Sequence, residues 1–366
     1  MVGARPQFIK AKMISWAILR HNNKKKSPSI TEIIVHTGQH YDYDMSQIFF
    51  DQMEIPSPQY HLGVKSSSHA EMTGTMMSKI EKVVMKENPD WVLVYGDTNS
   101  TLAAALATVK LHIPFAHVEA GLRSWNRKMP EEINRLITDR VSSLLFCPSE
   151  KAVDNLRKEG IIHYVHNVGD VMYDAFLVFK KLASQKSTII KDFDLTPGHF
   201  CLATVHRQEN TDDPSRLINI FSAFESLALK ECPFIIPLHP RTKKALKSPK
   251  ILDLKNPYLH IISPVSYLDM IKLESNAKVI LTDSGGMQKE AFFSRVPCVT
   301  LRDETEWVET VEVGWNFLAG ADKQKIIDTF VNASEKLLNN PPNLYGKGDA
   351  GEKILEILIS YSKDIG

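Results

Sequence analysis

The sequence predicts an α/β protein of two doubly wound domains, each a parallel sheet wrapped by helices. Three observations carry this reading. The chain has 366 residues, and at roughly 150 residues per domain that length means about two domains. Short β-rich runs alternate with longer helical patterns along almost the whole chain, as strands joined by crossover helices do. A polar stretch ending in Thr196-Pro197-Gly198 divides the alternation into two series.

In the first series the strand candidates are Glu32–His36, Asp90–Tyr95, Phe115–Val118, Leu144–Cys147 and Tyr164–Val168. Met76, Ile80, Val83 and Val84 repeat at helical spacing within Met72–Lys86. Asn88-Pro89 ends that helix, because the residue before proline is driven out of the helical region. The second series offers Cys201–Val205, Phe234–Pro237, Leu259–Ile262, Lys278–Thr282 and Cys298–Leu301, each followed by a helical pattern. The expected domains are 1–183 and 199–348, joined by the linker 184–198. The last helical pattern, Glu352–Ser360 within 349–366, is expected to pack back on the first domain. Sheets of this kind bind ligands at the carboxyl ends of their strands, so the expected site is a cleft between the domains.

Composition limits the function classes. Lys plus Arg number 44 against 43 Asp plus Glu, a net charge of +1. Near-neutrality argues against nucleic acid and against a polybasic membrane surface. No apolar run approaches the ~20 residues of a spanning helix, and the start lacks a charged-then-apolar signal layout. The basic run Lys24-Lys25-Lys26 reads as a solvated turn. Cys147, Cys201, Cys232 and Cys298 form no CxxC pair and read as buried free thiols, which points to a reducing, cytoplasmic setting. No metal-ligand spacing occurs, so no metal is expected.

Polar residues gather where strands end. Asp283-Ser284-Gly285-Gly286 follows a strand and opens a helix, where glycines admit close backbone approach and free N–H groups favour an anion such as a diphosphate. Glu290, further along that helix, is placed to reach ribose hydroxyls; the plainer reading is a turn capped by Ser284. Gly3-Ala4-Arg5-Pro6 opens another helix, with Arg5 and Lys10 as candidate phosphate cations or ordinary surface charges. Asp97 is either a helix cap or a carboxylate at a strand's carboxyl edge. Glu119 lies in an apolar context that asks for a partner, and Arg123 is the expected one. Glu131 and Glu132 open a helix, and Glu131 is spaced to pair with Arg135. His206 and His239 follow successive strands of the second series and read as site histidines or satisfied loop residues. The acids thus belong to the first domain, and the anion sites mostly to the second.

GARPQFIK, GQH, YGDTNST, HVEAGLR, PEEINR, HRQEN and TDSGG occur here in the order found in the non-hydrolysing UDP-N-acetylglucosamine 2-epimerases. The sequence resembles that family from Gly3 to the C-terminus. HTGQHYD, NVGDVMYD, HRQENTDDP, PLHPRT and KEAFFSRVPCVTLRDETEWVE look like the branch acting on UDP-2,3-diacetamido-2,3-dideoxyglucuronic acid. The resemblance implies two Rossmann-like domains facing a cleft, as in GT-B glycosyltransferases, in a cytoplasmic homodimer that makes surface-polysaccharide precursors. It implies epimerisation without a redox cofactor: the C2 hydrogen is abstracted as UDP leaves C1, and UDP adds back to the glycal while C2 is reprotonated on the other face. C2–H is barely acidic until C1 gains cationic character, so a base and leaving-group stabilisation must act together.

By motif match, Asp97, Glu119 and Glu131 are the acid/base candidates, and Arg135 positions one of them or the diphosphate. Arg5, Lys10, His206, Ser284, Gly285 and Gly286 would hold the diphosphate with His239 nearby, and Glu290 the ribose. Met270 stands where many members place a Phe beside the uracil, and a Met–ring contact is weaker than stacking. Gln39-His40-Tyr41-Asp42 replaces the QHR-type motif of members with an activating second site, so that regulation is not expected. Rival readings are a hydrolysing epimerase, a GT-B glycosyltransferase and a catalytically dead UDP-sugar-binding regulator. Finally, Met1 and Val2 are too few for the strand that should precede Gly3, so the chain is expected to start several residues late.

Overall fold

The computed structural model describes residues 1–38, 57–65, 68–246, 255–335 and 340–362, the Arg5 side chain excepted. The stretch Gln39-His40-Tyr41-Asp42 lies outside the described residues. The chain divides into two units, Met1–Ala175 with Asn343–Gly366, and Phe176–Pro342. The division falls inside the helix Val171–Lys186 and not in the polar stretch 184–198. That stretch carries the short helix Ile189–Asp192, and Ile189 and Leu195 are buried in the core of the second unit. Two apolar anchors outweigh the polar composition that marks the segment as a linker.

In the first unit β1 (Val35–His36) pairs in parallel with β2 (Tyr60–His61). A second parallel sheet runs in the order β3 (Val92–Tyr95), β4 (Phe115–Val118), β5 (Leu144–Cys147), β6 (Val165–Asn167). Met1 and Val2 lie between these sheets. Val2 N–H donates to Val35 O at 2.9 Å, Thr37 N–H donates to Val2 O at 2.8 Å, and the Met1 ammonium donates to Leu93 O at 2.9 Å. The helix His69–Glu87 starts at Ser68, whose hydroxyl accepts from Glu71 N–H, and ends at Asn88 in the left-handed conformation. Its Met76, Ile80 and Val84 are buried with Val92, Val94 and Phe115 of the sheet. The C-terminal helix Ala350–Ser362 belongs to this unit, and Trp91 Nε1–H donates to Ser362 Oγ at 2.8 Å.

The second unit is one six-stranded parallel sheet. Its strands are β7 (Cys201–Thr204), β8 (Phe234–Pro237), β9 (Leu259–Ile262), β10 (Val279–Thr282), β11 (Cys298–Thr300) and β12 (Asn316–Leu318). Their spatial order is β12-β11-β10-β7-β8-β9. The chain moves outward from β7 to β9, then returns to add β10 on the other side of β7. That reversal makes β7/β10 the topological switch point, where such sheets bind ligands. Alternate residues feed opposite faces: Cys201, Ala203, Phe234, Ile236, Val279 and Leu281 enter one core, and Leu202, Ile235 and Ile280 the other. Burial on both faces is what makes these strands continuous apolar runs.

Cys147, Cys201 and Cys298 are buried free thiols, but Cys232 is only half-buried and lies 3.4 Å, sulfur to sulfur, from Cys201. Lys24, Lys25 and Lys26 are exposed. Among the described residues no helix is long and apolar enough to cross a membrane.

Candidate functional site

The loops after β3 and β4 bring four of the predicted residues of the first unit together. Thr98, not Asp97, caps the helix Asn99–Lys110, because its hydroxyl accepts from Thr101 N–H. Asp97 is therefore released from capping. Its Oδ2 accepts from Arg135 Nε at 3.0 Å and Nη2 at 2.6 Å, and its side chain remains 31% exposed. Asn134 Nδ2 donates to the Asp97 carbonyl at 2.8 Å. Glu119 does not pair with Arg123; it pairs with Lys10, both side chains being nearly buried. Lys10 thus meets a carboxylate, and breaking a buried pair of this kind costs about 3–5 kcal/mol.

Two backbone positions make this proximity possible. Gly96 has φ 62°, and a Cβ there would lie 3.3 Å from both Glu119 Oε2 and Lys10 Nζ. Glu119 itself has φ 76°. A non-glycine residue held there costs about 1–3 kcal/mol, strain that persists where the surroundings over-determine it.

Glu131 stands exposed in the first turn of the helix Pro130–Val141, and the pairing expected between it and Arg135 does not form. The adjacent Glu132 takes that place. It is buried and accepts from Arg135 Nη1 at 2.8 Å, Ser124 N–H at 2.9 Å and Trp125 N–H at 3.0 Å. Burial works against the Glu132 charge, but the Ser124 bonds and Arg135 outweigh it and hold its carboxyl below the usual range. Burial likewise opposes the Arg135 charge, and Asp97 and Glu132 more than compensate. Arg123 turns the other way, onto Asp139 at 2.7 Å and onto Glu159 at 2.6 and 2.8 Å. Arg5 is the first residue of the helix Arg5–Asn23, its side chain outside the described residues. Gln7 has a role that sequence reasoning missed. Its Oε1 accepts from Gly3 and Ala4 N–H, while Nε2 donates to Tyr95 O at 2.7 Å, fixing the N-terminal loop to the end of β3.

In the second unit His206, Ser284, Gly285 and Gly286 lie at the switch point and Glu290 on the helix that follows it, while His239 follows β8 and Met270 lies on the helix Tyr267–Glu274. Asp283, fully buried after β10, accepts from His206 N–H and Arg207 N–H at 3.0 Å each, and from Asn210 Nδ2 at 3.0 Å. In the sequence Asp283 stands out only as part of the Asp283-Ser284-Gly285-Gly286 motif, yet it carries the loop after β7. His206 Nδ1 lies 3.3 Å from Asp283 Oδ1, and its ring centroid is 5.5 Å from that of the exposed His239. Burial lowers the His206 pKa, with His239, Arg207 and Arg241 adding to the effect against Asp283.

Ser284 caps the helix Gly285–Ser294. Gly285 needs its missing side chain: a Cβ would fall 2.1 Å from Glu306 Oε1. Trp307 Nε1–H donates to Gly285 O at 2.8 Å, fixing the glycine turn from outside it, and Gly286 is exposed. Glu290 accepts from Tyr267 OH at 2.9 Å, and Met270 is half-buried against the core. Among the described residues no group of three or more His, Cys, Asp or Glu is placed to hold a metal ion.

The first unit thus offers carboxylates on cations at strand ends, suited to proton transfer. The second offers a helix N-terminus, two glycines and histidines at a switch point, suited to a diphosphate.

Known proteins resemble this chain along most of its length. The profile of the UDP-N-acetylglucosamine 2-epimerase family matches residues 22–359. A UDP-N-acetylglucosamine 2-epimerase homolog of Methanococcus maripaludis is 52% identical over 98% of each chain. The UDP-2,3-diacetamido-2,3-dideoxy-D-glucuronate 2-epimerase of Pseudomonas aeruginosa is 49% identical, also over 98% of each. The crystal structure of Methanocaldococcus jannaschii UDP-GlcNAc 2-epimerase in complex with UDP-GlcNAc and UDP superposes with a TM-score of 0.84 at 45% identity, covering 98% of each chain. The fold is thus α/β and GT-B-like, with Rossmann-like units, and the enzyme class is that of the isomerases. The chain belongs to the UDP-N-acetylglucosamine 2-epimerase family.

Proposed function

We propose that this chain is a non-hydrolysing epimerase that inverts C2 of a UDP-linked 2-acetamido sugar. The observation that carries the reading is the pairing of Asp97 with Arg135 and of Glu119 with Lys10 at the ends of adjacent strands. Two carboxylates held at neighbouring positions are what a reaction needs when it removes a proton from one face of C2 and returns one to the other. A base takes the C2 proton as the C1–O bond to UDP breaks, giving a 2-acetamidoglycal and UDP. UDP then re-adds at C1 while an acid protonates C2 from the opposite face.

Asp97 and Glu119 serve as the acid/base groups, with Glu131 a third candidate by motif match. Arg135 positions Asp97. His206, Ser284, Gly285 and Gly286 hold the diphosphate with His239 beside them, and Arg5 and Lys10 supply cations. Glu290 takes the ribose, and Met270 lies near the uracil. The Pseudomonas enzyme at 49% identity and the Methanococcus maripaludis UDP-N-acetylglucosamine 2-epimerase homolog at 52% support UDP-2,3-diacetamido-2,3-dideoxyglucuronate and UDP-N-acetylglucosamine as the two substrates to test. No redox cofactor takes part in this scheme, and a cytoplasmic homodimer supplying surface polysaccharide, O-antigen included, fits such a substrate.

The test is turnover in deuterated water on both substrates side by side. The expected result is deuterium at C2 with UDP-sugar preserved. Accumulation of free UDP and free sugar would overturn the non-hydrolysing mechanism, and absence of exchange with both substrates would overturn the epimerase reading.

A further inference from the structure

The first unit contains a buried polar ladder that the acid/base scheme does not use. His117, the third residue of β4, is fully buried. Its Nδ1 lies 2.6 Å from Asp139 Oδ1, and its Nε2 lies 2.7 Å from the Gly96 carbonyl oxygen. A carbonyl oxygen and a carboxylate oxygen accept only, so both ring nitrogens act as donors. Asp139 reaches further with its other oxygen, accepting from Gly121 N–H at 3.1 Å and Arg123 Nη1 at 2.7 Å. Glu159 completes the ladder on Arg123. Burial opposes the Asp139 charge, while His117 and Arg123 outweigh it and keep its carboxyl below the usual range.

The positions of these bonds matter more than their number. Gly96 is the residue before Asp97, and its N–H donates to Val118 O at 3.0 Å. Gly121 lies two residues beyond Glu119, and His117 two before it. The His117–Asp139 pair therefore grips the chain on both sides of Glu119 and, through the Gly96 carbonyl, immediately before Asp97. Both gripped loops contain a left-handed residue: Gly96 adopts that conformation freely, whereas Glu119 is strained in it and needs such outside support.

We propose that His117 is a positioning residue for the epimerisation, clamping the two strand ends that carry Asp97 and Glu119 at the separation the proton transfers require. The inference rests on the acid/base reading above. His117 touches no substrate; it acts through the two backbone turns. A carboxylate displaced by about 1 Å loses on the order of 10²-fold in rate while binding elsewhere is untouched.

The experiment compares wild type with His117→Gln and Asp139→Asn. His117→Gln keeps one donor for the Gly96 carbonyl but presents its other end to Asp139 as an acceptor. Folded fractions come from circular dichroism, and rates are expressed per folded enzyme. The expected result is a fall in kcat for C2 exchange of about 10- to 100-fold in both variants, with KM for the UDP-sugar within about twofold of wild type. A variant that melts earlier yet keeps wild-type kcat would mean that His117 supports only the fold, and would overturn the proposal. Wild-type protein labelled with 15N-histidine supplies a readout that needs no variant. It should show protons on both His117 ring nitrogens; a single protonated nitrogen overturns the two-sided clamp. Failure of wild type to exchange at all would instead sink the epimerase reading, and the ring-proton measurement would still decide the clamp.

Discussion

The two halves of the candidate machinery are built from different materials. In the first unit, charged side chains hold one another: Lys10 on Glu119, Arg135 on Asp97 and Glu132, and Asp139 between His117 and Arg123. In the second unit, one buried carboxylate, Asp283, organises backbone N–H groups, and the turn beside it is shaped by glycine and fixed by Trp307. Charged side-chain pairs fix where carboxylate oxygens sit, which proton transfer within hydrogen-bond reach requires. Backbone donors at a helix start give a broad, preformed anion site that needs no side-chain reorganisation. Under the proposed function the first unit governs turnover and the second affinity, and substitutions should separate the two.

The largest separation is expected from Asp97→Asn. The amide can still accept from Arg135 and keeps the volume, so the fold should hold. Loss of a carboxylate acid/base group costs about 10²- to 10⁴-fold in kcat. Exchange at C2 should fall by that factor while UDP binding, measured by calorimetry, stays within about twofold. Undiminished exchange would show that Asp97 only anchors Arg135 and Asn134.

Gly285→Ala should give a smaller and opposite pattern. The added methyl would overlap Glu306 Oε1, whose carboxylate is held by Arg302 Nη1 at 2.9 Å. Glu306 must shift, and the turn proposed to hold the diphosphate shifts with it. UDP affinity should weaken about tenfold, or about 1.4 kcal/mol, with kcat at saturating substrate nearly unchanged. A fall in kcat without a change in affinity would break the division between the units.

The placement of the candidate residues at strand ends was legible in the sequence, because polar residues at the ends of apolar strands stand out against their neighbours. Phe115–Val118, Leu144–Cys147, Phe234–Pro237 and Leu259–Ile262 read as strands to the residue, being short apolar runs with turn residues or polar neighbours close by. Glu32–His36 shrinks to Val35–His36, since only those two residues find a paired neighbour in β2. The partners of the site charges were not legible. Arg123 lies four residues from Glu119, yet it meets Asp139 and Glu159 because the strand end turns it inward. Glu131 and Glu132 are indistinguishable by composition, and only helix phase decides which one is buried. The linker failed for a related reason: composition averages over 184–198, whereas Ile189 and Leu195 fold as individuals.

One buried acid of the second unit stands apart from these contacts, and it yields the prediction with the least effect on turnover. Glu274 is fully buried next to the charge of Glu290, and neither of its carboxyl oxygens has a hydrogen-bond partner among the described residues. Burial first, and then Glu290, push its carboxyl well above the ordinary value of 4.5, so the folded protein keeps a proton that the unfolded chain releases. The sign follows from linkage. Below about pH 4.5 both states are protonated and Glu274 contributes no pH dependence. Above it the unfolded state binds fewer protons, and stability falls by up to about 1.4 kcal/mol per pH unit until the folded carboxyl ionises. Glu274→Gln has the same shape and no proton to lose, so it should gain on wild type over a window that opens at about pH 5 and closes where the folded carboxyl ionises. Urea unfolding at both ends of that window measures the gap, and exchange rates should agree within about twofold. A gap that stays constant with pH would mean that Glu274 is charged in the folded state. The second unit would then hold, besides the partnered Asp283, a buried charge with no hydrogen-bond partner among the described residues, and its contrast with the paired charges of the first would sharpen.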